Sequence, residues 1–388
     1  MNGVKRLRIA LVLEPVVARR LSGMMNYSRP DKEYCLIDLL RPLPDLIEKL
    51  REFGPDGIVT RIAPGVTEAL IDLGIPIVVS GGTICSEKVC SVRIDNESVG
   101  RLAARHLLDL GHRNFAMLGN YSYFTEGRQS GFEAELGKHG FSCDIYLENI
   151  HEWSRYMELL PRQNRALADW VSALPKPSGV FVTSDPLGWY LSKTCFEAGV
   201  VVPEQVSIVS AGNDTMICEL TNPPLSSVEL PWDKVSAEVA LAMDQLIDEL
   251  RVGRSGLNLN CPVNVYPERV VARRSSDYMA FENPVLEKAM HYIREHFHEG
   301  IDVGDVVNQV PVSRRKLEGE FMRTLGRAPK AEIVRVRIEY AKELLLRTDL
   351  KMPFVAERCG YSYVERFTVS FKSNTGLTPS QYRKRYRV

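Results

Sequence analysis

The chain has 388 residues, 45% apolar and 25% charged, with 49 Lys+Arg against 49 Asp+Glu. That length exceeds one ordinary core and predicts two or three domains of a globular protein. No apolar run reaches the length of a bilayer-spanning helix, and the zero net charge excludes a chain that is basic or acidic throughout.

The N-terminus opens like a secretion signal, with Lys5, Arg6 and Arg8 before the apolar "IALVL". That run is too short for such a signal, and Glu14 breaks the apolar character just beyond it. It reads instead as a first buried strand, in a cytoplasmic protein. Six more β-rich runs come after it: "GIVT", "IPIVVS", "SVRID", "FAMLG", "GVFVTS" and "SIVSAG". Helical patterns such as "ESVGRLAARHLLDLG" and "QSGFEAELGKHG" lie between them. Buried strands alternating with helices predict doubly wound parallel sheets, and the length predicts two such lobes with a cleft.

Ligands of open parallel sheets sit beyond the C-terminal strand ends, so polar residues there are the candidates. These are Glu14, Arg61, Asp95, Asp185, Asn213 and Asp214. Their carboxylate, amide and guanidinium groups are fixed acceptors and donors suited to hydroxyl groups. Asp95 and Asp185 serve equally well as helix N-caps. Trp153, Trp189 and Trp232 have faces on which a sugar can stack, although a tryptophan is more often core. The eight cysteines are scattered, with no C-x-x-C and no histidines at zinc spacing, so they read as reduced, packed thiols. Cys85 and Cys90 are near enough in sequence to meet across a loop. No P-loop, no G-x-S-x-G and no zinc pattern is present, and no cofactor is expected. His106, His112, His139 and His151 pair with no evident nucleophile, so the chain reads as a binding protein and not an enzyme.

The stretches "VRIDNESVGRLAARHLLDLGHRNFAMLG", "GRQSGFEAEL", "PSGVFVTSDPLGWYLSKTCFEAGVVVPEQVSIVSAGND" and "PPLSSVELPWDKVSAEVALAMDQL" resemble the effector domain of the LacI/GalR family, over about 1–275. That resemblance implies a two-lobed periplasmic-binding-protein-like fold and a sugar-like effector. By position it puts Arg128, Asp185 and Asn213 at effector contacts. The chain departs from the family in beginning at strand one, without an N-terminal DNA-binding headpiece, and in carrying "SAGND" for a "GYDD"-type sequence.

The last hundred residues differ in charge. Residues 281–388 hold 20 basic and 14 acidic residues, so this part alone is suited to a polyanion. Two segments, 312–330 and 362–380, align at a shift of 50: Leu317 on Phe367, Phe321 on Phe371, Gly326 on Gly376 and Pro329 on Pro379. Each predicts a helix, a break and a second helix, with Ser313 capping one helix and Gly326 and Gly376 ending two. An amphipathic helix from 330 to 348 joins them. After Gly376, Thr378 caps a last helix in which Tyr382 and Tyr386 turn to the core and Arg383, Lys384, Arg385 and Arg387 turn outward.

A helix-turn-helix offers its second helix to the major groove. The outward residues of the first are Arg314, Arg315, Lys316 and Glu318. Those of the second are Tyr363, Val364, Glu365, Thr368 and Val369, with Arg366 and Lys372 placed for phosphates. Arg pairs with guanine, Glu accepts from cytosine, and Thr or Val touches the thymine methyl. Arg383, Lys384 and Arg385 are expected on the backbone. The segments "VSRRKLEGEF" and "VAERCGYSYVERFTVSFKSNTGLTPSQYR" resemble the AraC/XylS family of transcription regulators, over about 285–388. That family implies two helix-turn-helix units reading successive major-groove segments.

The expected organisation is an effector domain at 1–275, a linker at 276–284 and an all-α DNA-binding domain with two helix-turn-helix motifs at 285–388. This order resembles bacterial regulators of xylose operons. The resemblance implies a homodimer that takes D-xylose, binds tandem sites on double-stranded DNA and, as an activator, meets RNA polymerase. Another sugar, a non-sugar effector, or constitutive DNA binding with a degenerate sensor are the alternatives.

Overall fold

The computed structural model describes residues 6–27, 31–148, 165–252, 261–281 and 283–386. Trp153 and His151 lie outside the described residues. The chain forms two compact units: Met1–Arg105 with Asn114–Asp277, and His106–Arg113 with Tyr278–Val388.

The first unit holds two six-stranded sheets. The strands are β1 (Leu7–Val12), β2 (Lys32–Ile37), β3 (Gly57–Arg61), β4 (Ile77–Ser80), β5 (Val89–Ile94), β6 (Asn114–Asn120), β7 (Cys143–Glu148), β8 (Ser178–Val182), β9 (Val206–Gly212), β10 (Ser226–Glu229), β11 (Val263–Val265) and β12 (Val270–Val271). Lobe one has the order β11-β5-β4-β3-β1-β2 and lobe two β12-β10-β9-β8-β6-β7. Every pairing is parallel except that of β12 with β10. Both lobes therefore repeat one doubly wound topology, with a switch point between β1 and β3 in one and β6 and β8 in the other.

All seven strands expected from apolar runs are present. The sequence signal missed β2 and β7, edge strands in which every residue but Ile37 is half-buried or exposed. It also missed β10, which is buried but half serine, "SSVE". Apolar layers cover both faces of the lobe-one sheet. One layer comes from helix Trp232–Arg251, which comes after the lobe-two strands and returns to pack on β3, β4 and β5. The two lobes are thus tied by several crossings of the chain. Helix Asn96–Asp109 lies against helix Thr125–Gly137 at glycines: a Cβ on Gly100 would stand 2.0 Å from the Arg128 carbonyl, and one on Gly131 1.9 Å from that of Glu97.

The cysteine expectation needs correction. Cys85 is joined to Cys261 by a disulfide, not placed against Cys90. The two are 176 residues apart, and they meet because β11 returns beside β5, a proximity that spacing along the chain does not show. The other six thiols are free; Cys90, Cys195, Cys218 and Cys359 are buried.

The second unit is helical: Pro284–His296, Val303–Asn308, Arg314–Leu325, Pro329–Arg347, Met352–Arg358, Val364–Thr375 and Pro379–Tyr386. The 50-residue repeat is real in space. Leu317 and Phe321 enter one core, and Phe367 and Phe371 another. The Ser313 side chain accepts from the Lys316 amide, and Gly326 and Gly376 close their helices in the left-handed region. Helix Pro329–Arg347 gives Ile333 to the first core and Ile338, Ala341, Leu344 and Leu345 to the second. At its middle, the buried Arg337 donates to the carbonyls of Phe297 and Ile301, both at 2.9 Å, with the Tyr361 ring beside it.

This unit is not contiguous in sequence. Residues 106–113, the end of helix Asn96–Asp109 and the turn after it, fold with it. The Ala280 amide donates to the Leu110 carbonyl at 2.8 Å. A carboxylate on the last residue of a helix opposes the helix dipole. Asp109 is held there by Arg327 at 2.7 Å and Arg335 at 3.1 Å, which also share the fully buried Glu332. The linker expected at 276–284 begins inside lobe two: Ser275 donates to the Ile208 carbonyl at 2.7 Å, and the Ser276 hydroxyl bonds that of Ser226.

Candidate effector cleft and nucleic-acid interface

The lobe-one switch point is built by β1 and β3. Glu14 lies just beyond one and Arg61 ends the other, and Arg61 Nε reaches both Glu14 oxygens at 2.7 Å. Thr60 Oγ1 donates to the Val12 carbonyl, fixing the two strand ends. The sequence candidates Glu14 and Arg61 are therefore brought together as a half-buried ion pair.

The lobe-two counterpart is more heavily buried. Asp185 lies almost out of solvent and is held by three hydrogen bonds: it accepts from Ser210 and Ser227 hydroxyls at 2.6 Å and from the Asp214 amide at 2.7 Å. Its carboxylate therefore holds the loop after β9 in place. In that loop Asn213 is the one described non-glycine residue with positive φ, 53°. Asparagine tolerates this region. Its side chain bonds Glu229 at 3.1 Å and Arg273 at 3.0 Å. Asp214 caps the next helix through the Ile217 amide. Asp95 likewise accepts from the Ser98 amide at 2.7 Å, an N-cap bond. Arg128 is buried; it donates to Asn96 Oδ1 at 3.0 Å and to the Thr183 carbonyl, and stacks on Phe124. Burial pushes its guanidinium down to about 10, which leaves it charged at neutral pH.

Two residues that sequence reasoning missed join the two lobes. Arg20 stands 3.8 Å from Asp214 and 5.3 Å from the Trp232 ring. Tyr123, after β6, packs over Gly81, after β4, where a Cβ would stand 3.0 Å from its ring. Arg20 was not visible because it lies a helix beyond the strand end, and Tyr123 because nothing in its loop marks it. Of the tryptophan candidates, Trp232 is thus beside the cleft, whereas Trp189 packs against the lobe-two core. A cavity of about 510 Å³, lined by Arg8, Asp38, Arg41 and Lys49 among others, opens elsewhere on lobe one.

On the second unit, Arg314, Arg315 and Lys316 are exposed, and Arg314 pairs with Glu318 at 2.9 Å. Tyr363, Glu365, Arg366, Val369 and Lys372 are exposed on the equivalent helix, and Thr368 is half-buried. Two placements need correction. Val364 is half-buried and packs against the second core. Arg383 turns inward and donates to the Leu345 carbonyl at 3.3 Å, an acceptor near the end of helix Pro329–Arg347 that has no partner within the helix. Lys384 is exposed as expected; the side chain of Arg385 lies outside the description.

Comparison with known proteins agrees with this division. Residues 104–276 match a periplasmic binding protein-like domain, 43–155 the periplasmic binding proteins and sugar binding domain of the LacI family, and 306–385 a helix-turn-helix domain. The chain is 29% identical to the xylose operon regulatory protein of Escherichia coli K12, over 87% of this chain and 86% of that one. It is 26% identical to that of Haemophilus influenzae, over 87% of each. A solved xylose-binding transcription activator, xylR, is 27% identical, with a TM-score of 0.58 over 99% of this chain and 100% of that one.

Proposed function

We propose that this chain, which has the domain content and order of the xylose operon regulatory proteins, is a transcription regulator that senses D-xylose and acts through its helix-turn-helix domain. The observation that carries this reading is the combination, along one chain, of a Glu14–Arg61 ion pair at one switch point and a buried, hydrogen-bonded Asp185 at the other with a doubled helix-turn-helix. Relatives with the same architecture bear the xylose name.

An uncharged pentose offers only hydroxyls and a ring oxygen. Glu14, Arg61, Arg20 and Asp214 are donors and acceptors already held by partners, so they meet a sugar without reordering. Arg128, Asp185 and Asn213 keep the loops behind them in register. Sugar in the cleft favours one arrangement of the lobes by its differential affinity, and only that difference reaches the DNA-binding part.

The 19-residue helix Pro329–Arg347 is about 28 Å long, close to one DNA turn of about 34 Å. It spaces the helices at 314–325 and 364–375 for successive major-groove segments. We assign Arg314, Arg315, Lys316, Tyr363, Glu365, Thr368 and Val369 to base edges, and Arg366, Lys372 and Lys384 to phosphates. A cytoplasmic homodimer on tandem sites, in contact with RNA polymerase as an activator, completes the reading.

Thermal unfolding against D-xylose, L-arabinose, D-ribose, D-glucose and D-galactose tests the sensor. A specific ligand at a hundredfold excess over Kd stabilises by about 2.7 kcal/mol. A shift with xylose is expected. A shift with another sugar alone removes the xylose assignment, and no shift removes sugar sensing. Equal DNA affinity with and without saturating xylose removes the coupling.

A further inference from the structure

Gly319 sits in the middle of helix Arg314–Leu325, on its exposed face. Glycine in an exposed helix interior costs about 1 kcal/mol relative to alanine. Packing does not offset this cost. A Cβ built on Gly319 meets nothing within 4 Å, whereas at Gly100 and Gly131 the same atom would strike backbone. No turn requires it either, because the helix runs on to Leu325. Within the chain, then, alanine would be better here.

The surroundings point outward. Arg315 lies one turn before Gly319 and Arg323 one turn after, on the same face. Arg323 is paired with Glu320, and Arg314 with Glu318. Arg315 is exposed and makes no ion pair among the described residues. The 50-residue repeat sets Gly319 against Val369, which is 70% exposed. The two helices thus present, at one equivalent place, a bare backbone and an isopropyl group.

We infer that Gly319 is a positioning residue, the point at which the first helix-turn-helix seats its backbone directly against DNA. Without a Cβ, the helix comes closer to the groove than the second helix can, and Arg315 reaches base edges from there. The second unit stands further off and uses Val369 as an apolar contact to the thymine methyl. This inference rests on the DNA-binding reading.

The test is Gly319→Ala in the full chain, read two ways. A duplex is first selected from a random-sequence library by the wild-type protein. Gly319→Ala is expected to raise the unfolding temperature and, on that duplex, to weaken binding at least tenfold. A structural role alone would move both in the same direction. Val369→Ala is expected to lower affinity with a protection change confined to the other half of the footprint. If Gly319→Ala is stabilised and binds the selected duplex as tightly as wild type, the inference is overturned while DNA binding stands. If the wild type selects no duplex, both are overturned.

Discussion

His106 shows how a single residue acquires its chemistry from burial. Its imidazole is pushed down to about 3, first by burial and then by Arg294, His112 and Arg335. The unfolded chain takes up a proton near 6.5 and the folded one does not until about 3. The stability tied to this group is therefore complete above 6.5 and is lost as pH falls toward 3. Between pH 6.5 and 5 the loss from this residue is about 2 kcal/mol, and His106→Gln should flatten that part of a denaturant-midpoint profile. Asp185 behaves differently, through its hydrogen bonds. Its carboxylate takes three donors, and Asp185→Ala leaves the Ser210 and Ser227 hydroxyls and the Asp214 amide without it. We expect a loss on the order of 3 kcal/mol in a urea titration, together with weaker sugar binding, because the loop carrying Asn213 and Asp214 is released.

Among the helices, the two helix-turn-helix units share a plan but differ in surface. The first carries Arg314, Arg315 and Lys316, while the second carries Tyr363, Glu365 and Val369. Arg315→Ala should cost about 1–3 kcal/mol of binding and relax preference at one base pair. Lys372→Ala should weaken all duplexes alike and lower the salt slope by about 1. Affinities on matched and mismatched duplexes at several salt concentrations separate the two. Indifference of base preference to Arg315→Ala would remove it from the reading surface. The caps, stops and buried aromatics of these helices could be read from sequence because each depends on residues within one or two turns.

Across the molecule, the second unit needs a piece of chain from far upstream. A fragment of residues 278–388 lacks Leu110, Gly111 and His112, and it leaves Arg327 and Arg335 without Asp109. Its amides over 284–296 and 329–335 should therefore exchange faster than those of the full chain, and it should unfold at lower temperature. Equal protection in both would show that 106–113 contributes nothing to that unit.

The two doubly wound lobes, the doubled helix-turn-helix and the strand-end positions of Glu14, Arg61, Asp185 and Asn213 were all legible in the letters of the chain. They arise from local periodicity, from turn and cap chemistry, and from a repeat written into the sequence. Other features emerge only in the folded chain. Asp185 is a buried, hydrogen-bonded anchor, Arg20 and Tyr123 join the cleft, and Arg383 turns inward. Cys85 pairs with Cys261, and residues 106–113 are enlisted by the second unit. Each of these joins segments tens or hundreds of residues apart. Such a contact is fixed by the path of strands and helices between them, and no property of either segment alone records it.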